Sequence, residues 1–209
     1  MSTQSSALSP TASAKNNGLD DGAVSPEIRA GYVFWLFGLS GAGKSTLAAG
    51  LKRDLASEGH LSLLLDGDRL RGGLCQGLGF GVEDRTENLR RAAEVARLGV
   101  ESGLIVIAAF ITPLEVQRRA VERLIGPDRI SWIHADATLA VCQQRDVKGL
   151  YAQAAAGTIP LMTGFGSAFE RPGRCECVLH TGLEPVQTSA ERLREFALNV
   201  LRGGSRSGG

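Results

Sequence analysis

A chain of 209 residues with 43% hydrophobic and 22% charged content and a formal net charge of +1 is long enough for a full core, and carries no field that would draw in nucleic acid or an anionic membrane surface. No apolar run approaches the ~18–20 residues of a membrane span, and the N-terminal segment lacks the charged-then-apolar layout of a secretory leader, so the cytoplasm is the expected location. Cys75, Cys142, Cys175 and Cys177 match no zinc spacing, and Cys175-x-Cys177 is too short for redox C-x-x-C chemistry, so all four read as free thiols.

Residues 1–29 are rich in Ser, Ala, Asn, Gly and Pro and nearly devoid of large apolar side chains. Such a segment buries too little surface to offset its ordering entropy, so a disordered tail is expected. The folded domain is expected over 30–202, with a second flexible tail at 203–209.

The apolar run 33–37 reads as a strand and breaks into Gly38-Leu39-Ser40-Gly41-Ala42-Gly43-Lys44-Ser45, followed by Thr46. The spacing is G-x-x-x-x-G-K-[ST], a phosphate-binding loop. Its glycines let successive N–H groups turn inward around phosphate oxygens, and the next helix offers its positive end to the same anion. Lys44 has the reach for the β- and γ-phosphates, and the Ser45 hydroxyl is placed to ligate Mg²⁺. Leu47, Leu51 and Leu55 recur at helical spacing to about residue 56, completing strand, loop and helix. The stretch marks a nucleoside-triphosphate site.

After a break at Gly59 the pattern continues as strand 61–65, a Gly-rich irregular stretch to residue 80 and a long helix over roughly 84–102. Strand 104–110 is almost continuously apolar, as in a parallel sheet covered on both faces. Helix 114–124, strand 130–134, a helix near 138–145, a polar stretch to about 172, a short strand 177–180 and a closing helix 188–201 complete the chain. Ala190, Leu193, Ala197, Val200 and Leu201 share one face of that last helix. Alternating strands and helices without an internal repeat predict an α/β three-layer fold, a mostly parallel sheet with helices on both faces, in one domain.

Ligands of such sheets bind beyond the carboxyl ends of the strands, and three polar clusters fall there. Asp66-Gly67-Asp68 with Arg71 sets two carboxylates on one side of an extended chain, suited to a metal and to a hydroxyl proton, or else forms a capped turn. In Glu83-Asp84-Arg85-Thr86-Glu87-Asn88, Asp84 and Glu87 fit a capping box, while Arg85 and Asn88 at i and i+3 can face one anion. Arg90 and Arg91 read as solvated. Arg145-Asp146-Val147-Lys148-Gly149-Leu150-Tyr151 fits either a lid over 146–172 that brings a cation to the transferring phosphate or an ordinary exposed helix.

Together FGLSGAGKST, LDGD with Arg71, LGF at 78–80, EDRTENLRR, GLIVIAAFITP, VCQQRD, KGLY, AGTI at 156–159 and TG at 163–164 resemble the adenylyl-sulfate kinases, in order and spacing, over roughly residues 31–200. The resemblance implies phosphorylation of the 3'-hydroxyl of adenylyl sulfate by ATP with Mg²⁺, and a homodimer. It implies that Gly38 to Thr46 hold ATP and that Ser45 and Asp68 organise the metal. Asp68 is also the implied base, supported by Asp66. Arg71, Arg85 and Asn88 would hold adenylyl sulfate, with Phe80 stacked on its adenine. Ile111, Thr112 and Pro113 stand where the family has Ile-Ser-Pro; Thr112 could replace a serine to which a phospho-intermediate has been ascribed, though direct in-line transfer needs none. Lys148 and Leu150 match the lid, and Arg145 a residue near the ATP adenine. The chain departs from the pattern at Arg69, Gly72, Cys75-Gln76-Gly77, Val147, Ala154-Ala155 and 162–169, where Met162 replaces a second stacking Phe and Phe165 is the nearest aromatic. Those departures leave open a kinase of another nucleotide-like or specialised alcohol, and a nucleotide-binding partner without turnover.

Overall fold

Five strands pair in parallel in the order β2-β3-β1-β4-β7 in the computed structural model, which describes residues 31–157, 162–163 and 166–203. They are β1 (Tyr32–Phe37), β2 (Ser62–Asp66), β3 (Ile105–Ala109), β4 (Ile130–Ala135) and β7 (Cys177–Leu179). β1 sits at the centre, its residues 33–37 wholly buried, because both of its faces are covered. On one face α1 (Lys44–Ser57) and α7 (Val186–Leu201) set Leu47, Leu51, Leu55, Leu193 and Ala197 against Phe34, Leu36, Ile107 and Ile133. On the other, α3 (Val82–Glu101) and α4 (Glu115–Ile125) set Leu89, Ala92, Ala96 and Val121 against Trp35, Phe37, Val106 and Trp132. This is the three-layer α/β arrangement expected from the alternation of strands and helices, and it places every β–α turn of the parallel sheet at one end.

Three expectations are corrected. The stretch after β2 is not irregular throughout: Gly67–Arg71 form the short helix α2, because the Asp66 carboxylate accepts the Asp68 N–H at 3.0 Å and caps it. Asp66 and Asp68 therefore straddle a strand end and a helix turn, and strand alternation does not govern their directions. The long helix begins at Val82, with extended Gly81 in the cap position, so Asp84 lies in the first turn and no Asp84–Glu87 capping box forms. Glu87 instead accepts from Arg90 (2.7 Å) and Arg91 (2.8 Å) along the helix. Within the polar stretch Leu150–Ala155 form a helix, α6, that buries Tyr151 and Ala154, followed by a two-stranded parallel pair, β5 (Met162–Thr163) and β6 (Gly166–Ser167). The remaining helix, α5 (Leu139–Arg145), is capped by the Thr138 hydroxyl. The tail expected at 1–29, all but Gly203 of the tail at 203–209, Phe165 and the Met162 side chain lie outside the described residues.

Candidate active site

The loop between β1 and α1 holds its shape through main-chain geometry. Gly38, Gly41 and Gly43 all have positive φ. At Gly38 (φ 143°) a Cβ would stand 2.5 Å from the Ala135 carbonyl oxygen, so only glycine lets β1 turn this close to β4. Ala42 is fully buried under the turn, and its N–H bonds Leu39 O at 3.2 Å. Lys44 opens α1 and folds back, donating to Gly38 O (3.0 Å) and Leu39 O (2.7 Å). Burial of that ammonium, with Lys148 nearby, lowers its pKa from 10.5 to about 8. An anion in the loop favours the charged form and opposes this shift. Ser45 donates its hydroxyl to Asp66 Oδ2 at 2.6 Å, joining the loop to the end of β2.

A cavity of about 260 Å³ opens over this loop. Its floor is Ser40, Gly41, Gly43, Lys44, Ser45 and Thr46, with Asp66 and Asp68 beside them. The facing wall carries Arg71 from α2, Phe80 from the following loop, and Arg85 and Asn88 from one face of α3. The end of β3 supplies Ile111, Thr112 and Pro113, and Lys148 and Leu150 close the side next to α6. The residues just named converge from five separate segments on one space; of the expected loop residues, Gly38, Leu39 and Ala42 do not line it. Asp68 forms an ion pair with Lys148 there, both side chains about half exposed.

The aromatic and cationic wall is pre-arranged. The Arg71 guanidinium lies 4.4 Å from the Phe80 ring centroid and donates to Leu78 O (3.1 Å) and Gly79 O (2.8 Å), which fixes the loop that presents the ring. Phe80 is 54% exposed, a large apolar face turned to solvent. Arg85 donates Nε–H to Phe80 O at 2.7 Å and Nη1–H to the buried Thr163 hydroxyl. Burial and the neighbouring Arg71 charge lower the pKa of Arg85.

Arg145 does not line the cavity. It donates to Thr181 O (2.6 Å) and Gly41 O (3.5 Å) on the β4–β7 side of the loop, opposite α2 and α3. Thr112, 1% exposed, accepts the Trp35 indole N–H at 2.9 Å and has φ 42°, a region that costs a β-branched residue ~1–3 kcal/mol. Residue-by-residue reading missed three supports. Tyr151, buried in α6, donates its phenol to Ser40 O at 3.0 Å and so ties α6 to the phosphate loop. Thr163 holds Arg85, and Arg118 holds the turn after β3. A lone aromatic in the polar run around Tyr151 was the available signal for the first; the others depend on contacts across 78 and 6 residues of sequence that no local pattern reports.

The family model described as adenylylsulphate kinase matches residues 30–180. An adenylyl-sulfate kinase of Aeromonas salmonicida is 49% identical over 173 residues, covering 83% of this chain and 86% of that protein. One from Shewanella amazonensis is 43% identical over 169 residues, covering 81% and 85%. The structure of the Mycobacterium tuberculosis APS kinase in complex with AMPPNP and APS aligns with a TM-score of 0.76 and 37% identity, over 81% of this chain and 98% of that one. A phosphate loop facing an arginine–aromatic wall, on this sheet order and with this degree of identity, places the chain in the adenylylsulphate kinase family.

Proposed function

We propose that this chain transfers the γ-phosphoryl group of ATP to the 3'-hydroxyl of adenylyl sulfate, giving 3'-phosphoadenylyl sulfate, in the cytoplasm. The observation that carries the reading is the shared cavity, with a triphosphate loop on its floor and Arg71, Phe80, Arg85 and Asn88 opposite.

ATP lies with its phosphates in the loop, where main-chain N–H groups and Lys44 meet the β- and γ-oxygens, and with its nucleoside on the Arg145 side. Ser45 and Asp66 present hard oxygen donors 2.6 Å apart, and such a pair suits Mg²⁺, which takes one or two protein oxygens together with phosphates and water. When bound, Mg²⁺ neutralises charge on the β- and γ-phosphates. Asp66 and Ser45 would hold it, in place of the Ser45–Asp68 pair that the resemblance implies, because it is Asp66 that meets Ser45; Asp68, two residues on in α2, accepts the proton of the attacking 3'-hydroxyl. As the oxygen–γ-phosphorus bond forms, the bond to the β-bridging oxygen breaks, and Lys44 and Lys148 stabilise the charge on the transferring group. Phe80 offers its open face to the adenine of adenylyl sulfate, and Arg85 and Asn88 offer donors to its sulfo-phosphate. Thr112 serves as pocket wall, since direct in-line transfer asks nothing of its hydroxyl.

The departures from the family pattern bear on the competing reading, a kinase of a different alcohol. Arg69, Gly72, Cys75, Gln76 and Gly77 are absent from the cavity lining, and Cys75 is fully buried, so the reading gives none of these side chains direct contact with the acceptor. Of the departures, Val147 does line it. The test is incubation with Mg²⁺-ATP and adenylyl sulfate, followed by chromatographic separation of the nucleotides. A 3'-phosphorylated product is expected; bound ATP without conversion would favour another acceptor. Light scattering of the same sample checks the proposed homodimer.

A further inference from the structure

Among the described residues Thr112, at φ 42°, stands furthest into positive φ of any non-glycine residue; Asp146 reaches 19°. A β-branched residue stays in that region only where its surroundings hold it. Two side chains from different elements do so. Trp35 of β1 donates its indole N–H to Thr112 Oγ1 at 2.9 Å. Arg118 of α4, 4% exposed, donates Nη1–H to Thr112 O at 3.0 Å and Nη2–H to Glu170 O at 3.1 Å. Its Nε–H meets the Glu115 carboxylate at 2.9 Å, and its flat face lies 5.2 Å from the Phe37 ring centroid. Glu170 completes the arrangement: its N–H bonds Pro113 O at 2.9 Å, and its carboxylate accepts the Glu115 N–H at 2.6 Å.

We propose that Arg118 is a positioning residue for the acceptor nucleotide, clamping the 111–113 turn and the segment around Glu170 into one preset wall. It lies outside the lining of the cavity over the phosphate loop. The inference rests on adenylyl sulfate being the acceptor. Three donors spread in one plane reach the Thr112 carbonyl, the Glu170 carbonyl and the Glu115 carboxylate at once, a geometry an ammonium cannot copy. A contact needed only for packing would be met by an apolar side chain, without the desolvation of a buried guanidinium. The phosphate loop is held by other residues, Lys44, Tyr151 and Arg145, none of them bonded to Arg118. Its links to this region are Gly38 N–H to Ile111 O at 3.2 Å, one residue before the carbonyl that Arg118 holds, and the Phe37 ring under the guanidinium; neither is a hydrogen bond of Arg118 to the loop. Loosening the clamp therefore separates the two substrates.

The test is steady-state kinetics of Arg118→Lys, with Arg123→Lys, an exposed position of the same helix, as control. In Arg118→Lys the KM for adenylyl sulfate rises about tenfold while the KM for ATP stays within about twofold; Arg123→Lys keeps both. Equal rises in both KM values, or a fall in kcat that only tracks the folded fraction, would overturn the proposal. If Arg118→Lys does not fold, amide hydrogen exchange on the unaltered protein decides. The Glu115 and Glu170 amides are expected to exchange slowly without ligand, and exchange at the rate of an open peptide sinks the clamp. The unaltered enzyme is assayed first. Absence of product there counts against the acceptor assignment alone, and the exchange measurement still judges the clamp.

Discussion

On the phosphate side of the cavity the wall is mostly main chain, shaped by glycines at 38, 41 and 43 and by two carbonyls that accept from Lys44. On the acceptor side it is mostly side chain: Arg71 stacked on Phe80, Arg85 on Thr163, Thr112 pinned by Trp35 and Arg118. A main-chain site is written in consecutive residues and fails as a unit. A side-chain site is assembled from distant residues and can be loosened one contact at a time. The sharpest test of that contrast is Lys44→Met, which should cost ~10³-fold or more in kcat/KM for both substrates, since the transferring phosphate loses its cation. Because Lys44 is a charge held at 9% exposure, the same variant should melt no lower than the parent. A lower melting temperature would show that its two bonds to the loop carbonyls outweigh the cost of burying its charge.

Arg85→Ala probes the other wall. Turnover of adenylyl sulfate should fall ~10²-fold while ATP affinity, measured by calorimetry, stays within a factor of two. Weakened ATP binding in this variant would mean that the walls are coupled and would break the comparison.

The contrast also explains what was legible beforehand. The phosphate loop, strands 33–37 and 104–110 and the leucine face of α1 follow from local spacing, because neighbours in sequence do the work. The acceptor wall was legible only through the combined pattern of Asp66, Asp68, Arg71, Phe80, Arg85 and Asn88. No single stretch of it carries a physical signature, and the folded chain has to bring α2 and α3 together. The start of α3 was misplaced because Asp84 and Glu87 satisfy a capping spacing, and Gly81 wins only through the path of the preceding loop. Helix α2 was hidden by glycines that cap and flank it. Arg118 drew no reading at all; one of its partners, the Glu170 carbonyl, lies 52 residues later.

The pH dependence of ATP binding isolates the phosphate side. Lys44 titrates near 8 in the ligand-free protein, lowered chiefly by burial, and the bound triphosphate requires the charged form. Affinity should be flat below pH 8 and weaken above it, by about tenfold between pH 7 and 9, with proton uptake on binding. Isothermal titration in buffers of different ionisation enthalpy reads that uptake directly. A flat profile would place the Lys44 pKa near its ordinary value.

The smallest effect concerns the seam between the walls. His134, at the end of β4, is 7% exposed and stacks between Phe37 (centroids 5.0 Å apart) and Phe169 (5.9 Å). Phe37 leads into the phosphate loop, and Phe169 precedes the Glu170 contact with the acceptor turn. Burial lowers the imidazole pKa below 6.5; Asp136 opposes the shift, and Arg118, Arg171 and His180 add to it. The neutral form is thus the folded form. Its contribution is complete above the unfolded value of 6.5 and is lost as pH falls from there through the lower folded value. Each kcal/mol lost lowers the melting temperature by about 2–4 °C in a chain of this size. His134→Gln removes the titration, so its melting temperature should fall less between pH 7 and 5 than that of the parent, whatever its value at pH 7. Equal slopes would assign the acid sensitivity to carboxylates elsewhere and leave the seam indifferent to protons.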